Sequence, residues 1–176
     1  MAGTVAIGIQ QFNEIRKKGY FYIDKTAFIR EWWEKGDSVT LITRPRRFGK
    51  TLTMSMVEQF FSVKYAGQQN LFEGLAIWET KAYREIQGTY PVISLSFANL
   101  KEPSYELTRQ KVCDQLQQLY TEHAYIWESG ILKGADKSFF ERMLHNEKVE
   151  YVDATLALYK LSEPNPRSSS ASNTSF

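Results

Sequence analysis

The sequence is poor in the residues that mark several function classes. Its one cysteine, Cys113, cannot close an internal disulfide and suits a reducing cytoplasm. Val112 and Leu116 beside it suggest a helix face, so Cys113 reads as a structural thiol. The two histidines, His123 and His145, stand apart with no cysteine or histidine at metal-ligand spacing, so a zinc site is not expected. No serine lies in a nucleophile-elbow sequence. No apolar run approaches the roughly 20 residues that a membrane helix needs, so no membrane partner is expected. The first nine residues lack a basic region and a long apolar core, so no leader is expected either. A net charge of +2 is too small to argue for nucleic acid by itself. What is present is ordinary globular material. The chain of 176 residues is 43% hydrophobic and 24% charged, enough for one domain with a real core.

The most informative stretch is 38–57. Residues 39–43 form an apolar, β-branched run that reads as a buried strand. A short basic turn comes next, Arg44-Pro45-Arg46-Arg47-Phe48, then Gly49-Lys50-Thr51. After it a helical pattern begins, with Leu52, Met56 and Phe60 recurring every four residues and Val57 and Phe61 beside them. Strand, turn, Gly-Lys-Thr and helix are the context that a phosphate-binding loop needs. The helix start offers N–H groups without intrahelical partners and the positive end of the dipole. Gly49 lets the backbone approach a phosphate, Lys50 would reach the β- and γ-phosphates, and the Thr51 hydroxyl would hold Mg2+. The strict pattern G-x-x-x-x-G-K-[ST] requires a first glycine at position 44, which here is Arg44. The arginines at 44, 46 and 47 offer forks that suit phosphate oxygens or face solvent.

Elsewhere the pattern is mostly helical. Residues 12–18 read as a short helix stopped by Gly19. Asp24 is placed to cap the next helix, whose apolar face is Phe28, Ile29, Trp32 and Trp33, with Gly36 ending it. The helix after the loop is expected to run to about Tyr65, and 79–87 is expected to be helical. Residues 91–97 read as a second buried strand. A long helix is expected from Pro103 to about Trp127, with Leu107, Val112, Leu116, Leu119 and Tyr120 inward. Two more helices are expected at 136–145 and 149–161.

Four stretches carry a family resemblance. Residues 43–51, Thr-Arg-Pro-Arg-Arg-Phe-Gly-Lys-Thr, resemble the loop signature of the bacterial AAA-ATPase-like family. Residues 21–26, Phe-Tyr-Ile-Asp-Lys-Thr, resemble that family's upstream signature. Residues 71–75 and 90–97 resemble its next segments in the same order, and the likeness runs from about Ile7 to about Glu163. The missing first glycine is normal for that family. The resemblance implies a P-loop ATPase module binding ATP and Mg2+, with an α/β three-layer sandwich fold. By analogy with related ATPases, Asp24 and Lys25 would border the adenine side, unless they are a helix cap and a surface lysine.

The resemblance also implies a later buried strand ending in the acidic Walker B residues, and none is recognisable. Val149-Glu-Tyr-Val-Asp153 is the nearest imitation, but Val149, Val152, Leu156 and Tyr159 recur at helical spacing. Hydrolysis needs acids to hold magnesium and to position water, so catalytic residues stay unassigned and turnover is not expected. Residues 164–176 lose all apolar periodicity and read as a disordered tail after a domain at 1–163. The expectation is therefore an incomplete P-loop fold whose two strands lack their usual neighbours, and which is prone to self-association. Two other readings stay open: nucleic-acid binding through the basic turn, and a non-catalytic interaction fragment.

Overall fold

The computed structural model describes residues 4–5, 8–45, 47–98, 100–145 and 149–162. The chain divides after Ser94 into two compact units.

The first unit is built around a central helix. Its α-helices are α1 (Phe12–Lys17), α2 (Ala27–Lys35), α3 (Lys50–Phe61) and α4 (Lys81–Ile86), joined in part by 3-10 turns at Val63–Tyr65, Gln69–Leu71 and Ala76–Glu79. Met56 and Phe60 of α3 are fully buried, as their four-residue spacing predicts. They meet Phe12 from α1, Ile29 from α2, and Leu71, Phe72 and Ile77 from the turns. The aromatic rings interlock: Phe72 stacks on Phe12 at 5.1 Å and takes Phe60 edge-on at 5.1 Å. A second side of α3 is buried through polar groups. Ser55 Oγ accepts the Phe12 N–H at 3.1 Å and the Gln59 amide at 3.0 Å, fixing α1 against α3. Past α3 the chain returns closely on itself. A side chain on Gly88 would come within 2.7 Å of the Ala66 Cα, so only glycine fits that approach.

The second unit contains α5 (Tyr105–Glu122), α6 (Ala124–Glu128), α7 (Gly134–His145) and α8 (Tyr151–Ser162). Ser104 caps α5 by accepting the Leu107 N–H at 3.2 Å. The core gathers Cys113, Leu116 and Tyr120 from α5, Phe139, Phe140 and Met143 from α7, and Ala157 and Leu161 from α8. The buried Tyr120 hydroxyl donates to the Ala157 carbonyl at 2.8 Å, and burial holds its phenol protonated far above the ordinary range.

The fold corrects the expected α/β three-layer sandwich. Every named element among the described residues is helical, and none is a strand. Residues 39–43 and 91–97 do not form helix, but they belong to no sheet. Val39 is 88% exposed and Leu41 83%, the opposite of a buried strand. Local apolarity does not make a strand, because each residue must pair its N–H and C=O with a neighbouring chain. The described residues supply that pairing at one point. Ser62 and Tyr90 form an isolated parallel bridge, with the Val63 N–H bonded to the Tyr90 carbonyl at 2.8 Å. Pro91 comes immediately after and has no N–H to extend it.

Smaller corrections concern helix limits. The helix after the loop ends at Phe61, and a 3-10 turn carries the chain to Tyr65. The long helix expected to reach Trp127 stops at Glu122, because His123 leaves helical geometry at φ −106° and ψ 19°. Its ring Nδ1 lies 2.8 Å from the Leu119 carbonyl, an acceptor in the last helical turn. Leu107, expected inward, is half exposed. The tail expected at 164–176 lies outside the described residues. Among those described, no helix is long and apolar enough to cross a membrane.

Candidate functional site

The loop at 44–49 is seated by the helix that it leads into. Leu52 packs on the first unit's core, and Met56 and Phe60 anchor α3 below it. The start of α3 is thereby fixed while Lys50 and Thr51 remain exposed. Gly49 stands at the N-cap with φ 74°, in the left-handed region that glycine enters without cost. It has no side chain to cap the helix, and α3 has no acidic residue in its first turn. Its carbonyl accepts both the Thr53 N–H at 2.8 Å and the Thr53 hydroxyl at 3.0 Å, so the end is well formed. The Lys50, Thr51 and Leu52 N–H groups thus begin a helix without a side-chain cap, at the positive end of its dipole. Arg47 also has a positive φ, 68°, which is uncommon for a residue with a side chain. A non-glycine residue held there stores about 1–3 kcal/mol of strain.

Two lysines contact this loop, one from its end and one from another segment. Lys50 Nζ folds back to donate to the Arg44 carbonyl at 2.6 Å, closing the turn that precedes it. Lys25 Nζ reaches across from the segment before α2 to the Phe48 carbonyl, at a long 3.5 Å. Neither lysine, nor Arg44 or Arg47, has a carboxylate partner among the described residues. Arg46 lies outside those residues. Phe48 is exposed at the tip, and Pro45 leads into it.

Lys25 is placed by its neighbours. The Asp24 carboxylate accepts the Thr26 N–H at 2.8 Å, the Thr26 hydroxyl at 2.7 Å and, on its other oxygen, the Ala76 N–H at 2.7 Å. Partial burial pushes the Asp24 carboxyl up, but the bonds from Ala76 and Thr26 outweigh it, and the group ends below the ordinary aspartate value. Thr26 is fully buried, and its hydroxyl accepts the Ile77 N–H at 3.1 Å. Tyr22 bonds Met56 Sδ at 3.2 Å, and burial lifts its phenol to about 12. The expected helix cap is therefore an anchor: Asp24 acts from two residues before the N-cap, Thr26, and ties it to the turn at Ala76. Asp-x-Thr is a known side-chain-to-backbone turn pattern, so the local part of this was available in the sequence. The long-range partners Ala76 and Ile77 were not.

A family profile described as "Predicted AAA-ATPase" matches residues 6–157. The chain belongs to this AAA-ATPase-like family. The match spans the loop, the anchored segment at 22–26 and most of the second unit. An uncharacterized protein from the vnfD 5′ region of Azotobacter chroococcum mcd 1 is 38% identical over 92 residues. That stretch is 52% of this chain and 16% of the relative. No solved structure matches.

An ATP phosphate chain with Mg2+, the usual ligands of such a family, can be tested against these residues. The donors suit a polyanion: an uncapped helix start and Lys50, with Gly49 making the left-handed turn before them. For the metal, the local offer is the Thr51 hydroxyl. Mg2+ held by phosphates and water needs few protein ligands. Among the described residues no three His, Cys, Asp or Glu side chains cluster, and Asp153, the nearest imitation of a Walker B acid, is bound to Arg142 at 3.1 Å in the second unit.

Proposed function

We propose that the chain binds ATP with Mg2+ through a variant P-loop at 44–52. The observation that carries this reading is the start of α3: a left-handed Gly49 at an uncapped N-terminus, followed by Lys50 and Thr51 and anchored by a buried core. Phosphate oxygens would accept from the loop and helix N–H groups. Lys50 would exchange the Arg44 carbonyl for a phosphate oxygen, and Thr51 would hold the metal. Arg44 and Arg47 add positive charge beside the site, and Pro45, Phe48 and Leu52 shape and seat the loop. Turnover is not part of the proposal, because hydrolysis needs a free acid to position water. Asp24 sits beside Lys25, but its carboxylate is engaged by Thr26 and Ala76.

Calorimetric titration of the full chain with Mg·ATP tests the reading. Saturable binding is expected, and Lys50→Ala should weaken it by about 1.5–3 kcal/mol, the range of a charge-assisted hydrogen bond. Equal affinity of wild type and variant would remove the assignment.

A further inference from the structure

The family resemblance would put Lys25 on the adenine side of a nucleotide. Its position in the fold argues otherwise. Both flanking residues are fixed to the body of the first unit, Asp24 through the Ala76 N–H and Thr26 through burial and the Ile77 N–H. The backbone that carries Lys25 is thus held by the fold on the side of the loop. The side chain meets the face of the loop at Gly49: a Cβ on Gly49 would lie 3.2 Å from Lys25 Nζ. The ammonium lies against the bare Cα face of Gly49, close enough that a side chain there would push it aside. What it meets there is weak, one carbonyl at 3.5 Å and no carboxylate among the described residues. A cation held on a phosphate-binding loop by so slight a contact has most of its donor capacity available.

We propose that Lys25 is a second cation for the phosphate chain, acting beside Lys50 from outside the loop. The inference rests on the reading of 44–52 as a nucleotide-binding loop. With a polyanion in the loop, Lys25 Nζ would leave the Phe48 carbonyl for a phosphate oxygen, as Lys50 leaves the Arg44 carbonyl. The two lysines arrive from different parts of the chain, one from the α3 start and one from the 22–26 segment. Gly49 supplies the left-handed turn on which Lys25 rests.

Full-length wild type, Lys25→Met, Lys25→Arg and Lys50→Ala should be titrated with Mg·ATP and with Mg·GTP. Lys25→Met keeps the apolar stem and removes the charge. It should weaken both nucleotides by roughly tenfold, the loss of a charge-assisted hydrogen bond, and leave their affinity ratio unchanged. Lys25→Arg should recover most of the loss, and the thermal midpoint without nucleotide should not move. Unchanged ATP affinity in Lys25→Met would overturn the inference while the P-loop reading stands. A changed ATP-to-GTP ratio would return Lys25 to the base and overturn it as well. No binding by wild type would sink the P-loop reading and this inference with it.

Discussion

The turn before α3 treats its cations differently from the helices around it and from the second unit. In the first unit's helices Lys18 meets Glu14 at 2.5 Å and Lys81 meets Glu85 at 3.5 Å; in the second unit Arg142 meets Asp153 at 3.1 Å, Lys160 meets Asp136 at 2.7 Å, and Lys111 meets Glu102 at 2.5 Å. On or beside that turn, Lys25, Lys50, Arg44 and Arg47 gather with no carboxylate partner among the described residues. Such pairs at a surface add little stability, so pairing is not what holds the second unit together. Its helices close on Tyr120, Phe140 and Ala157. What the pairing does is cancel charge. Where charge is left uncancelled beside an uncapped helix start, the local field favours an anion. Both conditions meet at the start of α3, and that coincidence marks the candidate site.

The strongest way to break the comparison is through the cores. Phe60→Ala and Phe140→Ala each remove a buried ring and should each cost about 3–5 kcal/mol. Hydrogen exchange should show Phe60→Ala loosening α1 and α3, and Phe140→Ala loosening α5 and α8. If either substitution left its own unit's protection unchanged, the assignment of that core would be wrong. Only Phe60→Ala should also abolish Mg·ATP binding, because α3 carries the loop.

A smaller effect comes from the anchor. Asp24→Ala removes acceptors for Thr26 and Ala76 and should cost about 1 kcal/mol, read from denaturant unfolding. The pH dependence has a defined sign. The folded carboxyl lies below its ordinary value of 3.8, so its contribution is complete above that pH. It is lost as pH falls through the depressed folded value. Wild type should therefore lose more stability than Asp24→Ala on acidification below that range. Parallel curves for the two proteins would contradict the anchor.

The smallest effect sharpens the contrast from the other side. Asp153→Asn should leave Mg·ATP affinity unchanged and shift the unfolding midpoint slightly, since the pair with Arg142 is at the surface. Weaker nucleotide binding in this variant would mean that the second unit contributes to the site.

The sequence was most legible where chemistry is local. Gly-Lys-Thr before a four-residue apolar repeat marked the start of α3, and Met56 and Phe60 point inward as that repeat requires. The helix near Asp153 was legible in type but not in face. Val149, Val152, Leu156 and Tyr159 gave it away by spacing, yet only Val149 of these is buried, and the helix itself buries Ala157 and Leu161. Period identifies a helix; its neighbours decide which side is covered. The strands at 39–43 and 91–97 failed for a related reason, since a strand exists only with a partner and partners are not written in the local sequence. The approach of Lys25 to Gly49 was hidden likewise, because it depends on Asp24 finding Ala76 far along the chain.

The central claim is that the uncapped start of α3 is the nucleotide site and that the second unit is not. Amide hydrogen exchange of the full chain, with and without saturating Mg·ATP, tests it most directly. Added protection should appear at the Lys50–Leu52 amides and at 47–49, with smaller gains at 24–26 and none in α5 to α8. Protection appearing in the second unit while the start of α3 stays unchanged would contradict the account.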